Sequence, residues 1–352
     1  MNESEDRSEA KTIVLVSPAT AQANNGNWHT AHRWGQFLSE YCDIDVMQTW
    51  PPLAPKTGIL RRPGPVAMIA LHARRSAASI QAWAEAHPHK PLIVVLTGTD
   101  LYRDIHADAE TRRSLQLAST LVVLQAAGIG ALPAEFHART RVIYQSAPAL
   151  RPIVKPTSSF TALMVGHLRD EKDPLTFLQA AALPSAPHVR FRLIGSALDE
   201  ALAAAAQQSE SETPRFRWLG ALPRPQTRQH IKRAHVLVNC SRMEGGAHVI
   251  LEAVQSGTAV LASRISGNVG MLGSDYAGYF DVGNAAQLAL LVERCASDAP
   301  FMQRLADQCA RRAALFEPRE EKRLVLNLAI SALQDTSIQA PVPSAARPER
   351  PA

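Results

Sequence analysis

Short apolar segments rich in β-branched residues alternate with longer helical patterns along most of the chain, and this alternation constrains the fold more than any other feature. The predicted strands of the first half are residues 12–16, 43–47, 66–71, 92–97, 120–125 and 141–145. The predicted helices between them are residues 28–41, 75–86 and 104–118. Near-continuous apolar strands separated by helices are typical of a parallel sheet covered on both faces. A doubly wound α/β domain is therefore predicted over residues 11–150.

The alternation starts again after a segment that contains Pro148, Pro152 and Pro156. Proline disrupts helix interiors and central strands, so this segment is interpreted as a linker. The second series of predicted strands is residues 160–166, 189–195, 215–220, 235–240, 258–263 and 278–282. Its predicted helices are residues 172–182, 197–208, 224–233, 247–256, 284–297, 299–315 and 319–334. A second doubly wound domain is predicted over residues 151–318, with a ligand site in the cleft where the carboxyl ends of the two sheets face each other.

The two ends of the chain, residues 1–10 and 336–352, are polar or proline-rich. Both are predicted to be disordered tails, because such segments cannot bury enough apolar area to offset their ordering entropy. The N-terminus lacks the apolar region of a secretory signal, and no apolar run is long enough to cross a bilayer. The scattered cysteines form no CxxC pair, which argues against a disulfide framework or a zinc site. A cytoplasmic protein without stable membrane association is expected.

The chain has a formal net charge of +5, and its arginines are spread along the sequence. Nucleic-acid-binding proteins usually cluster such charge on one face, so no nucleic-acid partner is expected and an anionic small molecule is favoured. The sequence contains no GxSxG elbow, Walker loop, HExxH motif or GxGxxG pattern. Serine hydrolases, P-loop ATPases and ordinary Rossmann dehydrogenases are therefore disfavoured.

The most informative stretch is NCSRMEGGAHVILEAVQSGTAVLAS, residues 239–263. Gly245 and Gly246 lie between a strand and a helix, where glycine allows a ligand to approach the backbone closely. The predicted helix start offers unpaired N–H groups for a phosphate, with Glu244 before it and Glu252 on its second turn. An equally weighted alternative is that Glu244 caps the helix and Glu252 pairs with a neighbouring arginine.

The stretch VGHLRDEKDP, residues 165–174, places Gly166 after a strand and two cations, Arg169 and Lys172, at the start of a helix. Two cations there oppose the helix dipole unless an anion is bound, and a diphosphate would satisfy both. The alternative is that the neighbouring acids Asp170, Glu171 and Asp173 neutralise them on a solvated face.

Two further stretches follow strands of the first domain. In NNGNWHTAHRW, Asn25, Gly26 and Asn27 suit a tight turn, and His29 and Arg33 begin a helix that could hold a second anion. A metal at His29 and His32 is disfavoured because no third ligand is near, and surface histidines are the alternative. In LTGTDLYRD, Thr97, Gly98, Thr99 and Asp100 are expected to face the cleft together with His72 and Arg74. Asp100 could equally be a helix N-cap.

Four stretches together resemble the retaining GT-B glycosyltransferases of family 4. They are VGHLRDEK (165–172), LIGSALDEAL (193–202), FRWLGAL (216–222), and the Glu244–Glu252 pair with the following SGTAVLAS. The resemblance implies two Rossmann-like domains, a nucleotide sugar in the C-terminal one, and a helix over 319–335 that crosses back to the N-terminal domain. It assigns the diphosphate to Arg169 and Lys172, the donor sugar to Glu244, and the ribose to Glu252. The other implied donor-binding positions are Gly166, Gly195, Leu219, Gly245, Gly246, Ala247, His248 and Val249. His248 departs from the family pattern, in which a small residue is typical at this position.

A narrower resemblance carries the acceptor prediction. NNGNWHTAHRW, LTGTDLYRD and residues 241–280 are similar to the selenosugar synthases of selenoneine biosynthesis (SenB type). This implies transfer of a sugar from UDP-GlcNAc or UDP-glucose to selenophosphate, forming a carbon–selenium bond and a 1-seleno-sugar. The expected catalytic residues are Glu244, Arg169 and Lys172, and neither a cofactor nor a metal is expected. Partners that supply selenophosphate or consume the selenosugar are expected.

The acceptor-binding candidates are Asn25, Gly26, Asn27, His29, Arg33, His72, Arg74, Thr97, Gly98, Thr99 and Asp100. Three alternative functions remain open from the sequence. The first is an ordinary family 4 transferase acting on a hydroxyl acceptor such as a lipid or glycan precursor. The others are a sugar-nucleotide epimerase of GT-B shape and a non-catalytic sugar-nucleotide sensor.

Overall fold

The computed structural model describes residues 11–19, 26–51, 64–184 and 186–334. The two predicted tails, residues 1–10 and 336–352, lie outside these ranges, as does Asn25. The described chain forms two six-stranded parallel sheets with helices around them, which confirms the predicted doubly wound α/β class.

The first sheet has the strand order β2-β1-β3-β4-β5-β6, and every neighbouring pair is parallel. Its strands are β1 (Thr12–Val16), β2 (Asp43–Met47), β3 (Ala67–Leu71), β4 (Leu92–Leu96), β5 (Thr120–Val123) and β6 (Thr140–Val142). Its helices are α1 (Gly26–Leu38), α2 (Ala77–Ala86), α3 (Ile105–Ala107) and α4 (Ala109–Leu117). A π-helical turn over Asp100–Asp104 precedes α3, and 3-10 helices span Ala126–Ala131 and Ala134–Arg139.

The second sheet has the order β12-β11-β10-β7-β8-β9 and is also parallel throughout. Its strands are β7 (Phe160–Val165), β8 (Val189–Ile194), β9 (Phe216–Trp218), β10 (Val236–Asn239), β11 (Ala259–Ser263) and β12 (Tyr279–Phe280). The helices are α5 (Pro174–Ala182), α6 (Glu200–Glu212), α7 (Arg224–Arg233), α8 (His248–Val254), α9 (Ser266–Leu272), α10 (Ala285–Ser297), α11 (Ala299–Ala310) and α12 (Pro318–Gln334). Short 3-10 turns cover Asp170–Lys172 and Ala313–Phe316.

All twelve predicted strands are present, but the helix prediction differs at several places, since the helix predicted over 299–315 ends at Ala310 and the 3-10 helices of the first lobe were not predicted. Two further differences have a clear cause. The single helix predicted over 104–118 is interrupted at Asp108, whose extended backbone and side chain cap the N-terminus of α4 through Thr111 N–H. Helix α9 was not predicted, because Gly267 and Gly270 lower its helix propensity. A side chain at either glycine would collide with Glu244 or Gln125, so tertiary packing requires glycine there.

Helix α12 follows the second lobe in sequence, but it packs against α1 of the first lobe. Its apolar residues Val325, Leu328 and Ala329 join the first lobe's core beside Trp34 and Leu38. Burial of these side chains from two distant parts of the chain ties the C-terminal segment to the N-terminal lobe.

The loops that follow β4 and β10 touch each other where the carboxyl ends of the two sheets meet. A side chain on Gly98 would lie 3.1 Å from the Gly245 amide nitrogen, and one on Gly245 would overlap the Thr97 carbonyl. Glycine at these positions therefore lets two backbones come into contact across the cleft.

Substitution of Gly245 by alanine is expected to lower the free energy of unfolding by about 1–3 kcal/mol, as overpacking in a tight contact does. The new methyl group has backbone on its far side, which cannot move away as a flexible side chain could. Gly130→Ala is the matched control, because a side chain there meets nothing within 4 Å. Equal unfolding midpoints in urea for the two variants would contradict the close contact.

Candidate active site

Lys172 and Glu244 form an ion pair at the carboxyl ends of β7 and β10. Lys172 Nζ donates to Glu244 Oε1 at 2.5 Å, and the Ser241 hydroxyl donates to the same oxygen at 2.6 Å. Asn239 Nδ2 adds a longer contact of 3.4 Å. Burial raises the pKa of Glu244, but the Lys172 charge and these hydrogen bonds outweigh it, so the net pKa lies below the usual value. Glu244 is therefore a fixed carboxylate at the cleft.

Gly166 lies next to the Lys172 side chain. The lysine stem lies against the glycine, whose missing side chain would be 3.5 Å from Lys172 Cγ. Gly195, after β8, faces the Gly166 carbonyl at a distance too short for any side chain, and its backbone has φ of +156°. Its carbonyl accepts a hydrogen bond from Trp218 Nε1 at 3.0 Å, and Leu219 follows in the next strand end, half-buried. These donor-binding candidates therefore lie at the carboxyl ends of three neighbouring strands, β7, β8 and β9.

Arg169 lies beside this pair with a more exposed guanidinium. Its Nε is 3.9 Å from Glu171 Oε2, beyond hydrogen-bond distance, and that nitrogen has no hydrogen-bond partner within the described ranges. The acids of the same stretch are engaged elsewhere, since Asp170 and Asp173 contact Arg242, and Glu171 contacts Arg103 across the cleft. Neutralisation by these three acids, the alternative left open by the sequence, therefore holds in part for Arg169, which faces Glu171, and not for Lys172, which pairs with Glu244.

Glu252 pairs with Arg224, a residue that was not among the predicted site residues. Arg224 Nε and Nη2 both lie close to Glu252 Oε1, at 3.0 Å and 2.9 Å. Glu252 is 5% exposed, so the pair is anchored inside the C-terminal lobe. Arg224 follows Pro223 at the first position of α7, and this Pro-Arg helix start was the only sequence signal for it. The structure therefore shows the arginine pairing that was one of the two predictions for Glu252. The other prediction, a contact with the ribose, would use the same carboxylate.

His248 begins α8 and faces the first turn of α1 in the other lobe. A side chain on Gly26 would lie 3.8 Å from His248 Cδ2. Burial lowers the pKa of His248 well below its usual value, and the positive charges of Arg33 and Arg224 lower it further. His248 is thus a neutral imidazole between the lobes, next to buried Ala247 and half-buried Val249.

Of the predicted acceptor residues on α1, Gly26, Asn27, His29 and Arg33 lie within the described residues. Arg33 does not offer an open charge, because its Nε and Nη2 donate to both oxygens of Glu321 on α12 at 2.6 Å and 2.9 Å. Burial lowers the pKa of His29 to about 4, with further lowering by the charges of Arg224 and Arg33. His29 therefore shares an electrostatic environment with Arg224 of the opposite lobe.

The remaining predicted acceptor residues follow β3 and β4, and Asp100 among them does not face the cleft. Its fully buried carboxylate accepts hydrogen bonds from the backbone N–H groups of Ala73, Thr97 and Gly98 at 2.8–2.9 Å. Asp100 therefore fixes two loops to each other, because a carboxylate with three backbone donors is fully satisfied in place.

His72 and Thr99 interact with each other, and Arg74 pairs with acids of its own lobe. His72 Nε2 is 2.9 Å from Thr99 Oγ1, and its Nδ1 accepts from the Arg75 backbone N–H at 3.3 Å, which makes Nε2 the protonated nitrogen. Arg74 is half-exposed and pairs with Asp104 and Asp108 at 3.6 Å and 3.3 Å. Of the residues predicted to bind the acceptor, Arg33 and Arg74 are therefore both paired with carboxylates of the protein.

The depressed pKa of His29 predicts a pH dependence of stability. Its pKa falls from 6.5 to about 4 in the folded protein, so the unfolded chain binds the proton more readily. Stability is therefore present above pH 6.5 and is lost as the pH falls towards 4. We expect His29→Gln to flatten the fall of the urea midpoint between these two pH values, whereas His106→Gln, at an exposed position, leaves it unchanged.

Within the described residues, no group of three or more His, Cys, Asp or Glu side chains is arranged to hold a metal ion. No described helix is both long and apolar enough to cross a membrane.

Residues 148–313 match the family model described as "Glycosyl transferases group 1". The matched range is a little under half of the chain, and it contains Arg169, Lys172, Arg224, Glu244 and Glu252.

Solved structures extend the likeness over both lobes. A sucrose-phosphate synthase from Thermosynechococcus elongatus has a TM-score of 0.73 at 16% identity, covering 92% of this chain and 100% of its own. HepE of Anabaena, in complex with UDP and glucose, has a TM-score of 0.70 at 17% identity, with 91% and 100% covered. The pneumococcal O-GlcNAc transferase GtfA, in complex with UDP and GlcNAc, has 0.59 at 14%, with 76% and 57% covered. At these identities the likeness shows a shared fold, the two-lobed GT-B arrangement.

Proposed function

We propose that this protein is a glycosyltransferase that takes a hexosyl group from a UDP-sugar and transfers it to selenophosphate. The observation that carries the proposal is the Lys172–Glu244 pair beside Arg169, inside the range that matches the group 1 family model and at the carboxyl end of the second parallel sheet. HepE and GtfA, which share the fold, were solved with UDP and a sugar, which supports a UDP-sugar as donor.

The donor half of the site supplies cations for the leaving group. When the bond between the sugar C1 and the UDP oxygen breaks, its electron pair leaves on the diphosphate. Arg169 and Lys172 would stabilise this developing charge without reorganisation, since Lys172 is already held by Glu244. Glu244, kept ionised by its surroundings, would accept hydrogen bonds from donor-sugar hydroxyls, and Glu252 from the ribose.

The acceptor half would hold a small anionic nucleophile. Selenium attacks C1 as the diphosphate leaves, which forms the carbon–selenium bond. Water must then cleave the selenium–phosphorus bond, releasing phosphate and the 1-seleno-sugar. A selenium nucleophile needs little help from a general base, and the imidazoles described on this side, His29, His72 and His248, all have lowered pKa values. The contact between the two lobes would exclude water from the donor during transfer.

The test is an incubation of the purified protein with a panel of UDP-sugars, with and without enzymatically generated selenophosphate, analysed by mass spectrometry. We expect a selenohexose or selenohexosamine together with released UDP, only when both substrates are present. Transfer to a hydroxyl acceptor without selenium would replace the selenophosphate assignment with that of an ordinary transferase. An epimerised UDP-sugar, or UDP-sugar binding without turnover for any acceptor, would establish an isomerase or a sensor and overturn the proposal.

A further inference from the structure

Two buried polar atoms near the junction of the lobes have no hydrogen-bond partner among the residues that the structure describes. They are Nε2 of His248 in the C-terminal lobe and Oε1 of Gln145 in the segment after β6. A buried polar atom left unpaired is unfavourable, so such atoms are rare in folded proteins. Such atoms mark places where a polar ligand can complete the hydrogen bonding.

Contacts around the start of α1 place both atoms in one neighbourhood. His248 lies against Gly26, and the Gly26 carbonyl accepts a hydrogen bond from the Thr30 hydroxyl at 2.8 Å. The same hydroxyl oxygen accepts a hydrogen bond from Gln145 Nε2. On the other lobe, a side chain on Gly246 would lie 3.4 Å from Gln145 Oε1. The two atoms therefore flank the first turn of α1.

The hydrogen bonding also fixes which end of the Gln145 amide is unpaired. Thr30 uses its only proton on the Gly26 carbonyl, so its oxygen can only accept from Gln145. The nitrogen of the amide must therefore point to Thr30, which leaves the Gln145 oxygen as an acceptor without a donor.

Positive charge from both lobes surrounds His248. Arg33, Arg224 and Lys172 all act on its imidazole, Arg33 from the N-terminal lobe and the other two from the C-terminal lobe. Each arginine contacts its glutamate through two of its nitrogens. A guanidinium has five N–H donors, so both retain donor capacity after these pairings. All three cations are paired with carboxylates, so the N–H groups that the two arginines keep after these pairings are the cationic donors on offer to an anion.

We propose that His248 and Gln145 form the subsite for the phosphoryl group of the acceptor, with His248 Nε2–H donating to one oxygen and Gln145 Oε1 accepting from a protonated one. This inference rests on the proposed function, and it moves His248 from the donor to the acceptor side. The donor diphosphate has its own cations at Arg169 and Lys172, at the end of β7. His248 and Gln145 instead face α1, so a group bound there bridges the two lobes.

The experiment measures the affinity for inorganic phosphate by calorimetry, with the protein saturated with UDP so that the donor site is filled. His248→Phe keeps the ring and removes its nitrogens, and we expect it to weaken phosphate binding at least tenfold, as the loss of a hydrogen bond to a charged group does. His248→Gln restores a donor near the Nε2 position and should recover part of the affinity. His106→Gln, at an exposed position, should bind phosphate as the wild type does.

The outcomes separate this inference from the proposed function. UDP binding that stays unchanged in His248→Phe, together with weakened phosphate binding and a raised KM for the acceptor, supports the subsite. Equal phosphate affinities of wild type and His248→Phe overturn the subsite while leaving the transferase intact. A variant that loses UDP affinity instead returns His248 to the donor side and also overturns it. If the wild type does not bind UDP, the proposed function fails. The phosphate affinities of the wild type and His248→Phe can then be compared without UDP, which still tests the subsite.

Discussion

Replacement of Lys172 by methionine is expected to lower turnover of the UDP-sugar at least tenfold. Methionine keeps the length of the side chain but removes the charge that we assign to the leaving diphosphate. Loss of one preorganised donor to a developing negative charge typically costs about a hundredfold to a thousandfold in turnover, and Arg169 remains to supply part of the effect. Steady-state release of UDP measures the change, and Arg169→Ala should act in the same direction.

The same substitution also affects stability, because Glu244 is 8% exposed and loses its ion-pair partner. Removing one member of a buried pair destabilises more than removing both. We therefore expect Lys172→Met with Glu244→Gln to recover stability in urea but not turnover. Arg242→Met removes a nearby cation that pairs with Asp170 and Asp173, and it should stay within about twofold of the wild type. Near-normal turnover in Lys172→Met would remove the diphosphate assignment.

The second large effect is expected at Glu321, whose replacement by alanine should lower the free energy of unfolding by about 3–5 kcal/mol. The Glu321 carboxylate is fully buried and binds the Arg33 guanidinium, the Trp34 indole N–H and the Ser146 hydroxyl. Alanine would leave the mostly buried Arg33 charge without a counterion. The ion pair links α12 to α1, so the loss should also free the C-terminal helix from the first lobe.

Glu320→Ala is the matched control, since Glu320 is the preceding residue of the same helix and forms an exposed pair with Arg323. Exposed pairs contribute less than about 1 kcal/mol, so this variant should unfold near the wild-type midpoint. Urea unfolding followed by circular dichroism compares the two, and hydrogen exchange of α12 reports its release. Similar midpoints for both variants would show that the Glu321 contacts contribute little.

Much of the fold follows from local pattern. Each parallel strand is buried on both faces, so it has to be a short apolar run, and such runs are visible in the sequence without knowledge of their neighbours. The helices that were predicted incorrectly depend on single residues and not on the apolar pattern. Asp108 interrupts a helical pattern by capping, and the glycines of α9 are retained because Glu244 and Gln125 occupy the space beside them.

The donor side of the site was also visible in part, because Arg169, Lys172, Glu244 and Glu252 lie in two short stretches at strand ends. Their partners were not visible. Arg224 is 28 residues from Glu252, and its position next to it depends on how α7 packs beside α8. On the acceptor side, too, the partners were not visible, since Asp100 accepts from backbone N–H groups and Arg33 pairs with a carboxylate 288 residues away.

The sequence alone determined the two parallel α/β lobes and the strand ends at which polar residues accumulate, because periodicity and apolar content act within a few residues of chain. Only the tertiary structure decided which of those polar residues are satisfied by the protein and which remain to meet a ligand. That distinction depends on hydrogen-bond partners brought together from distant segments, as with Glu321 at Arg33 and Gln145 at Thr30. The type of a charged or amide residue does not show whether its partner is another side chain or a substrate.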